Sequence, residues 1–315
     1  MARLRIVFMG TPDLAATCLS ALLQADGLEV VAVVSQPDKP KGRHLKLAPT
    51  PVKQCALAAG VPVLQPATTR DARFLDQLKT FSPDLIAVAA YGQILPQPLL
   101  DIPPHGCLNV HTSLLPRYRG AAPLQRAILN GDHETGVTLM KIALGLDTGD
   151  IVSQMTTPIH DTDTAGTLHD RLADLGAELL VKTIPAYVAG AIQPWPQPDE
   201  GVVYARKIEK ADGRVDWRRS AVEIWNQVRG LDPWPGAFTH LQPGSASVLL
   251  KLWSVRPESG TGNAGEIMQA AEDGIVVGCG EGTLRILELQ REGGRRMSVQ
   301  QFLPGHPIGK GERLQ

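Results

Sequence analysis

The residues best suited to chemistry are Asn109, His111 and Asp147. Asn109 and His111 stand two apart in Cys107-Leu108-Asn109-Val110-His111-Thr112-Ser113. On an extended strand that spacing sends both side chains to one face. A primary amide beside an imidazole offers a donor for an oxyanion and a group that can move a proton. Asp147 lies in Gly145-Leu146-Asp147-Thr148-Gly149. Such a segment suits a glycine-flanked turn whose Asp caps backbone donors. It also suits a carboxylate that reaches His111 and fixes its tautomer and orientation. No serine or cysteine nucleophile elbow is visible, because Ser113 lacks the G-x-S-x-G setting. Transfer without a covalent enzyme intermediate is expected.

Short β-branched runs alternate with helical patterns over the first 190 residues. Leu4–Met9, Leu28–Val34, Val61–Leu64, Leu85–Ala90 and Cys107–Val110 are near-continuously apolar, as parallel strands covered on both faces are. Leu14–Gln24, Val52–Ala59 and Asp71–Thr80 carry helical spacing, with Pro51 where a first turn accepts proline. This predicts an α/β fold, a Rossmann-like doubly wound and mostly parallel sheet. Gly136–Ile142 and Ile151–Thr157 alternate and are expected as antiparallel edge strands, followed by a closing helix over Thr164–Ala189. Ligands of such sheets bind beyond the carboxyl ends of the strands, where His111 falls. Gly10-Thr11-Pro12-Asp13, at the first such end, lacks the later glycines of G-x-G-x-x-G. It reads as a tight strand–helix turn, and a dinucleotide is disfavoured.

Composition then shifts. Gln193-Pro194-Trp195-Pro196-Gln197-Pro198 reads as a stiff linker, which places domains at 1–190 and 205–315 joined by 191–204. Beyond the linker, Ala221–Gly230 is helical in pattern, and Ser247–Val255, Gly274–Cys279 and Thr283–Leu289 are short strands. That spacing predicts a small, OB-like β-barrel. Residues 205–315 carry 15 Lys and Arg against 13 Asp and Glu, whereas the whole chain has net charge −1. Bulk electrostatic capture of nucleic acid is thus excluded, although a local basic patch is not. Of 315 residues 43 % are hydrophobic, enough for packed cores, and no apolar run approaches the roughly 20 residues of a membrane span. Cys18, Cys55, Cys107 and Cys279 are scattered, so neither a zinc site nor a disulfide framework is expected. The first apolar run is too short for a signal-peptide core, and a cytoplasmic protein that needs no membrane is expected. Nothing demands more than a monomer.

One long proline-punctuated segment, Gln36–Lys53, reads as a loop beside the strand ends. It carries Lys39, Lys41, Arg43, Lys46 and Lys53 against Asp38. Those charges form either a solvated face or a grip on a phosphate backbone. Trp217, Trp225 and Trp234 crowd the start of the second domain as core anchors or, alternatively, as base-stacking platforms.

Taken together, Asn109-x-His111-x-Ser113-Leu114-Leu115-Pro116 and Gly145-x-Asp147-Thr148-Gly149 closely resemble the folate-dependent formyltransferases. Gly10-Thr11-Pro12 and Ala90-Tyr91-Gly92-x-Ile94-Leu95-Pro96 match the same family. Gln36-Pro37-Asp38-x-Pro40-x-Gly42-Arg43, Pro49-x-Pro51-Val52-Lys53, Arg119-Gly120-Ala121-Ala122-Pro123 and the β-rich tail narrow the resemblance to members that act on aminoacyl-tRNA. The resemblance spans essentially the whole chain. It implies transfer of the formyl group of 10-formyltetrahydrofolate to the α-amino group of methionine on initiator tRNA, without a metal. By position it implies Asn109, His111 and Asp147 as the catalytic trio. It puts Ser113, Leu114, Leu115, Pro116, Tyr91, Gly92, Ile94 and Leu95 at the folate. It also brings Lys39, Lys41, Arg43, Lys46 and Lys53 to the tRNA, with the second domain as the tRNA holder. Thr112 departs from the small residue or proline often found after the histidine, which adds bulk but removes no reacting group. The alternatives are a formyltransferase for an amino-sugar nucleotide or another small amine, hydrolytic release of formate, and a catalytically silent RNA-binding protein.

Overall fold

The computed structural model describes residues 3–41, 46–242 and 247–315, with backbone alone at 41 and 46. Its first half runs β1 (Leu4–Gly10), α1 (Asp13–Gln24), β2 (Leu28–Val34), β3 (Lys39–Lys41), β4 (Lys46–Ala48), α2 (Pro51–Ala58) and β5 (Val63–Leu64). It continues through α3 (Ala72–Thr80), β6 (Leu85–Ala89), α4 (Gln97–Leu100), β7 (Cys107–His111), β8 (Arg119–Gly120) and α5 (Pro123–Leu129). Next come β9 (Glu134–Lys141), β10 (Ile151–Pro158), α6 (Ala165–Val188) and β11 (Tyr204–Ala205). Seven strands form one sheet in the order β10-β9-β7-β6-β1-β2-β5. β7, β6, β1, β2 and β5 pair in parallel, and β9 and β10 add to β7 antiparallel.

The parallel strands are those whose sequence is continuously apolar. All five residues of β6 are buried, as are Ile6–Gly10 of β1. α3 opens on Asp71, whose carboxylate accepts the amides of Arg73 and Phe74, and α2 opens on Thr50 and Pro51. Gly176 lets α6 lie flat on β7: an added Cβ would stand 2.7 Å from Val110 Cγ1. A glycine costs helix propensity, and here it brings helix and site-bearing strand together. Gly10 is required in the same sense, since its Cβ would meet Ala15 Cβ at 2.6 Å.

Two expectations need correction. The segment 36–53 is not a plain loop: β3 and β4 form a short antiparallel ladder, with Lys39 opposite Ala48 and Lys41 opposite Lys46, and α2 begins at Pro51. Lys-Pro-Lys shows no apolar alternation, so nothing in its pattern marks a strand. The strand expected at Val61–Leu64 shrinks to Val63–Leu64, because its short pairing with β2 starts only there.

The chain divides into two compact units, one of Met1–Pro123, Glu134–Pro158 and His169–Ala205, the other of Leu124–His133, Ile159–Leu168 and Arg206–Gln315. In the second, α7 (Ala221–Gly230) starts with a capping box in which Ser220 and Glu223 satisfy each other's backbone amides. β12 (Ala237–Leu241), β13 (Val248–Glu258), β14 (Ile267–Ala271), β15 (Gly274–Gly278), β16 (Thr283–Arg291), β17 (Met297–Ser298) and α8 (Val299–Phe302) complete it. The antiparallel order is β12-β13-β16-β15-β14, with β17 on β16. The carboxyl-terminal segment bridges the two outer strands. His240 and Gln315 exchange backbone hydrogen bonds, and the amide of Leu314 donates to Gly265 just before β14. This removes much of the open sheet edge that closure of a small barrel is meant to remove. Trp217 is a core anchor, 4 % exposed, and its Nε1 donates to Thr239 Oγ1 at 3.0 Å. Trp225 packs partly against the same core, whereas Trp234 is 53 % exposed.

Candidate active site

β7 leaves the sheet interior at His111, flanked by β6 and β9, with Asn109 opposite Val88 and Met140. Asn109 is half-buried, and among the described residues its side-chain amide takes no hydrogen bond. His111 is buried at 6 % exposure and held at one ring nitrogen. Its Nε2 lies 2.9 Å from the Tyr118 carbonyl oxygen. A carbonyl only accepts, so Nε2 carries the hydrogen and donates it. Nδ1 faces Asp147 Oδ2 at 3.7 Å. In the neutral ring Nδ1 is therefore an acceptor beside a second acceptor, and the pair can receive a proton. The tautomer is thus set by the Tyr118 carbonyl and not by Asp147, whose carboxylate faces the ring beyond hydrogen-bond reach. As a turn aspartate, its Oδ2 caps the Gly120 amide at 2.8 Å.

The backbone around this pair is strained. Ser82, Ala90, Tyr118 and Asp147 are the non-glycine residues with left-handed φ among those described, and Tyr118 and Asp147 (φ 65° and 51°) both contact His111 or face it. Each such residue costs about 1–3 kcal/mol and persists only where its surroundings enforce it. For Asp147 the enforcement begins with Gly149, whose Cβ would collide with the Lys141 carbonyl at the end of β9. Gly149→Ala is expected to lower stability by about 1–3 kcal/mol in urea unfolding, as overpacking does. An unchanged midpoint would show that this close approach is not required.

The segment after His111 is pinned by two residues that no sequence signal marked. Thr138 of β9, fully buried, donates through Oγ1 to the Ser113 carbonyl at 2.6 Å and accepts from the Leu115 amide at 3.1 Å. Gln154 of β10 donates to Thr138 Oγ1 at 2.9 Å and to the Leu115 carbonyl at 3.0 Å. Ser113 itself is buried and donates to the Arg117 carbonyl at 2.7 Å, Leu115 is buried, and Leu114 and Pro116 are half-buried.

The motif after β6 runs alongside, since Ala89 pairs with Val110 across β6 and β7. Tyr91 does not turn its ring outward. It packs with Val34, Leu64, Val88 and Leu95 in the core, and burial pushes its phenol up to about 12. Its carbonyl accepts from Thr11 Oγ1 at 3.0 Å and Gln36 Nε2 at 2.9 Å. Leu95 is also buried, so of the four positions expected at the folate Gly92 and Ile94 are the exposed ones. Gly92 has φ 87°, and a side chain there would run into Gln36.

Of the basic residues, Arg43 lies outside the described residues, and Lys41 and Lys46 are placed by backbone only. Lys39 is exposed and donates to Gln36 Oε1 at 2.8 Å. Lys53 is occupied within the protein, its Nζ 2.7 Å from both Asp38 Oδ2 and Gln65 Oε1. The Lys53 ammonium and the Gln65 amide hold the Asp38 carboxyl below the usual carboxylate range. Lys53 thus braces the base of the β3–β4 hairpin. Among the described residues no group of three His, Cys, Asp or Glu is arranged to hold a metal, and no helix is long and apolar enough to cross a membrane.

A Rossmann-like sheet carries Asn109 and His111 on β7, with Asp147 of the β9–β10 loop facing His111, and comparison with known proteins identifies the class. The family described as formyl transferase matches residues 4–184, its C-terminal domain matches residues 207–307, and the chain belongs to this family. Within it, methionyl-tRNA formyltransferase of Geobacter sulfurreducens is 49 % identical over 314 residues, covering 100 % of this chain and 98 % of that protein. Solved structures share the fold at lower identity. WlaRD, a sugar 3N-formyl transferase crystallised with dTDP and 5-N-formyl-THF, superposes with TM-score 0.65 at 20 % identity, over 91 % of this chain and 98 % of that one. HypX from Aquifex aeolicus, in complex with tetrahydrofolic acid, gives TM-score 0.64 at 18 % identity; all of this chain spans about half (51 %) of that longer chain.

Proposed function

We propose that the protein transfers the formyl group of 10-formyltetrahydrofolate to the α-amino group of methionine on initiator tRNA, as a monomer in the cytoplasm. The observation that carries the reading is the 49 % identity, end to end through both domains, with a methionyl-tRNA formyltransferase. The sugar formyl transferase likeness, at 20 % identity, extends to the fold alone.

The site geometry suggests how its residues divide the work. The attacking amine must be neutral, and when it adds to the formyl carbon its nitrogen must shed a proton. His111 Nδ1, unprotonated while Nε2–H is given to the Tyr118 carbonyl, accepts that proton beside Asp147. The carbonyl oxygen of the formyl group becomes an oxyanion, and the free Asn109 amide is the donor for it. The imidazolium, stabilised by the Asp147 carboxylate, then returns its proton to the departing N10. Protons balance, and neither a metal nor a covalent enzyme intermediate enters. In this reading the formyl donor lies against Gly92, Ile94 and the Ser113–Pro116 segment. Gly92 allows close backbone approach, and Ile94, 76 % exposed, offers an apolar surface.

In this reading Lys39, Lys41, Arg43 and Lys46 engage the acceptor arm, while Lys53, bonded to Asp38, braces the base of the β3–β4 ladder. Arg43→Ala should raise KM for methionyl-tRNA and flatten its salt dependence, with KM for the folate unchanged. Equal salt slopes for wild type and variant would take the hairpin out of tRNA binding. The reading as a whole is tested by offering methionyl-tRNA and a dTDP-amino sugar together with 10-formyltetrahydrofolate. Formylation confined to methionyl-tRNA supports it, and formylation confined to the sugar overturns it.

A further inference from the structure

We propose that Gln197 is a positioning residue for this reaction, and that the segment around it straps the Asp147 loop into its working conformation. The inference rests on the formyl-transfer reading above and adds a residue from what composition marks as a linker. Gln197 Nε2 donates to the carbonyls of both Asp147 and Gly149, each at 2.8 Å. Its Oε1 accepts from Arg119 Nε at 3.0 Å and Nη2 at 2.7 Å. Every donor and acceptor of the half-buried amide is thereby spent on the loop and on β8.

The backbone on either side of Gln197 is anchored as well. Trp195 exchanges both hydrogen bonds with Ile151, at 2.8 and 2.9 Å, where β10 resumes after the loop. Downstream, β11 pairs with β8, and the Arg119 amide donates to the Val203 carbonyl at 2.9 Å. The next residue of β8 is Gly120, whose amide caps the Asp147 carboxylate. Asp147 is therefore gripped twice, at its carbonyl by Gln197 and at its carboxylate by Gly120.

The loop needs such a grip. Leu144 and Leu146 are 69 % and 60 % exposed, so apolar packing does little to hold it. Asp147 sits at φ 51°, a conformation its backbone leaves when unconstrained. Relaxation would carry the carboxylate away from His111 Nδ1, and a displacement of about 1 Å at reacting groups can cost a hundredfold in rate. A glutamine amide suits the task because it donates to two carbonyls and accepts from a guanidinium at once.

The test uses the full-length protein with 10-formyltetrahydrofolate and methionyl-tRNA. Gln197→Ala is expected to lower the single-turnover rate about 10- to 100-fold. KM for both substrates should stay within about twofold of wild type, the signature of a lost transition-state interaction. The pH–rate profile should shift along the limb that reports the His111–Asp147 pair, and backbone amides at 145–149 should exchange faster with solvent. Gln197→Glu keeps the acceptor for Arg119 but loses both donors, so it should fall with Gln197→Ala; if the alanine variant does not fold, it decides alone. Wild-type rate and pH profile in either folded variant would overturn the assignment, as would a rate loss matched by faster exchange throughout the first unit. Should the wild-type protein leave methionyl-tRNA unformylated, the functional reading fails. The exchange at 145–149 would then still report whether Gln197 holds the loop.

Discussion

Asn109→Ala is expected to slow formyl transfer about 10²- to 10³-fold while leaving the affinity for methionyl-tRNA unchanged. The amide occupies one face of β7, with its backbone locked between Val88 of β6 and Met140 of β9. Its side chain holds nothing else in the described structure, so alanine removes no structural bond. On the proposed mechanism it removes the donor for a charge that exists only as the formyl carbon becomes tetrahedral. Such a loss falls on kcat and not on binding. Single-turnover rates together with filter retention of the tRNA separate the two. A variant with near-full turnover would remove Asn109 from this role.

Asp147→Asn is the sharper substitution, with an expected loss of about 10²- to 10⁴-fold in kcat, the range for a positioned acid–base partner. Asparagine tolerates left-handed backbone at least as well as aspartate, and its side-chain oxygen can still accept the Gly120 amide. Loop and fold are therefore retained. Only the negative charge facing His111 Nδ1 across 3.7 Å disappears. On the proposed mechanism, the proton taken from the amine then has no carboxylate to stabilise it on the ring. Unchanged far-UV circular dichroism with collapsed turnover is the predicted pairing, whereas wild-type turnover would show that the charge is not used.

The site was legible where residue type and spacing carry chemistry. Asn109 and His111 share a face because strand geometry has a period of two, and glycines on both sides of Asp147 announce a turn that needs close approach. The parallel strands were legible because burial on both faces leaves no polar alternation. Elements whose stability comes from distant partners were not. β12 contains Thr239 and His240, and Thr239 is buried because Trp217 donates to it from 22 residues away. Thr138 and Gln154 look like ordinary strand polars until the Ser113–Leu115 backbone that they satisfy is in place. Gln197 was hidden by its prolines: they imply an extended chain, and extended it is, but pressed against the Asp147 loop. Tyr91 shows the opposite failure, since its motif was recognised while its ring belongs to the core.

The most direct measurement is a single turnover of the purified protein with 10-formyltetrahydrofolate and methionyl-tRNA, initiator and elongator species in parallel, with the aminoacyl product identified by mass. Formyl-methionine on the initiator species alone is the predicted result. Intact binding of a folate analogue with no formyl-methionine on either tRNA would contradict the proposed acceptor, and would leave a formyl-transfer site that serves a small amine.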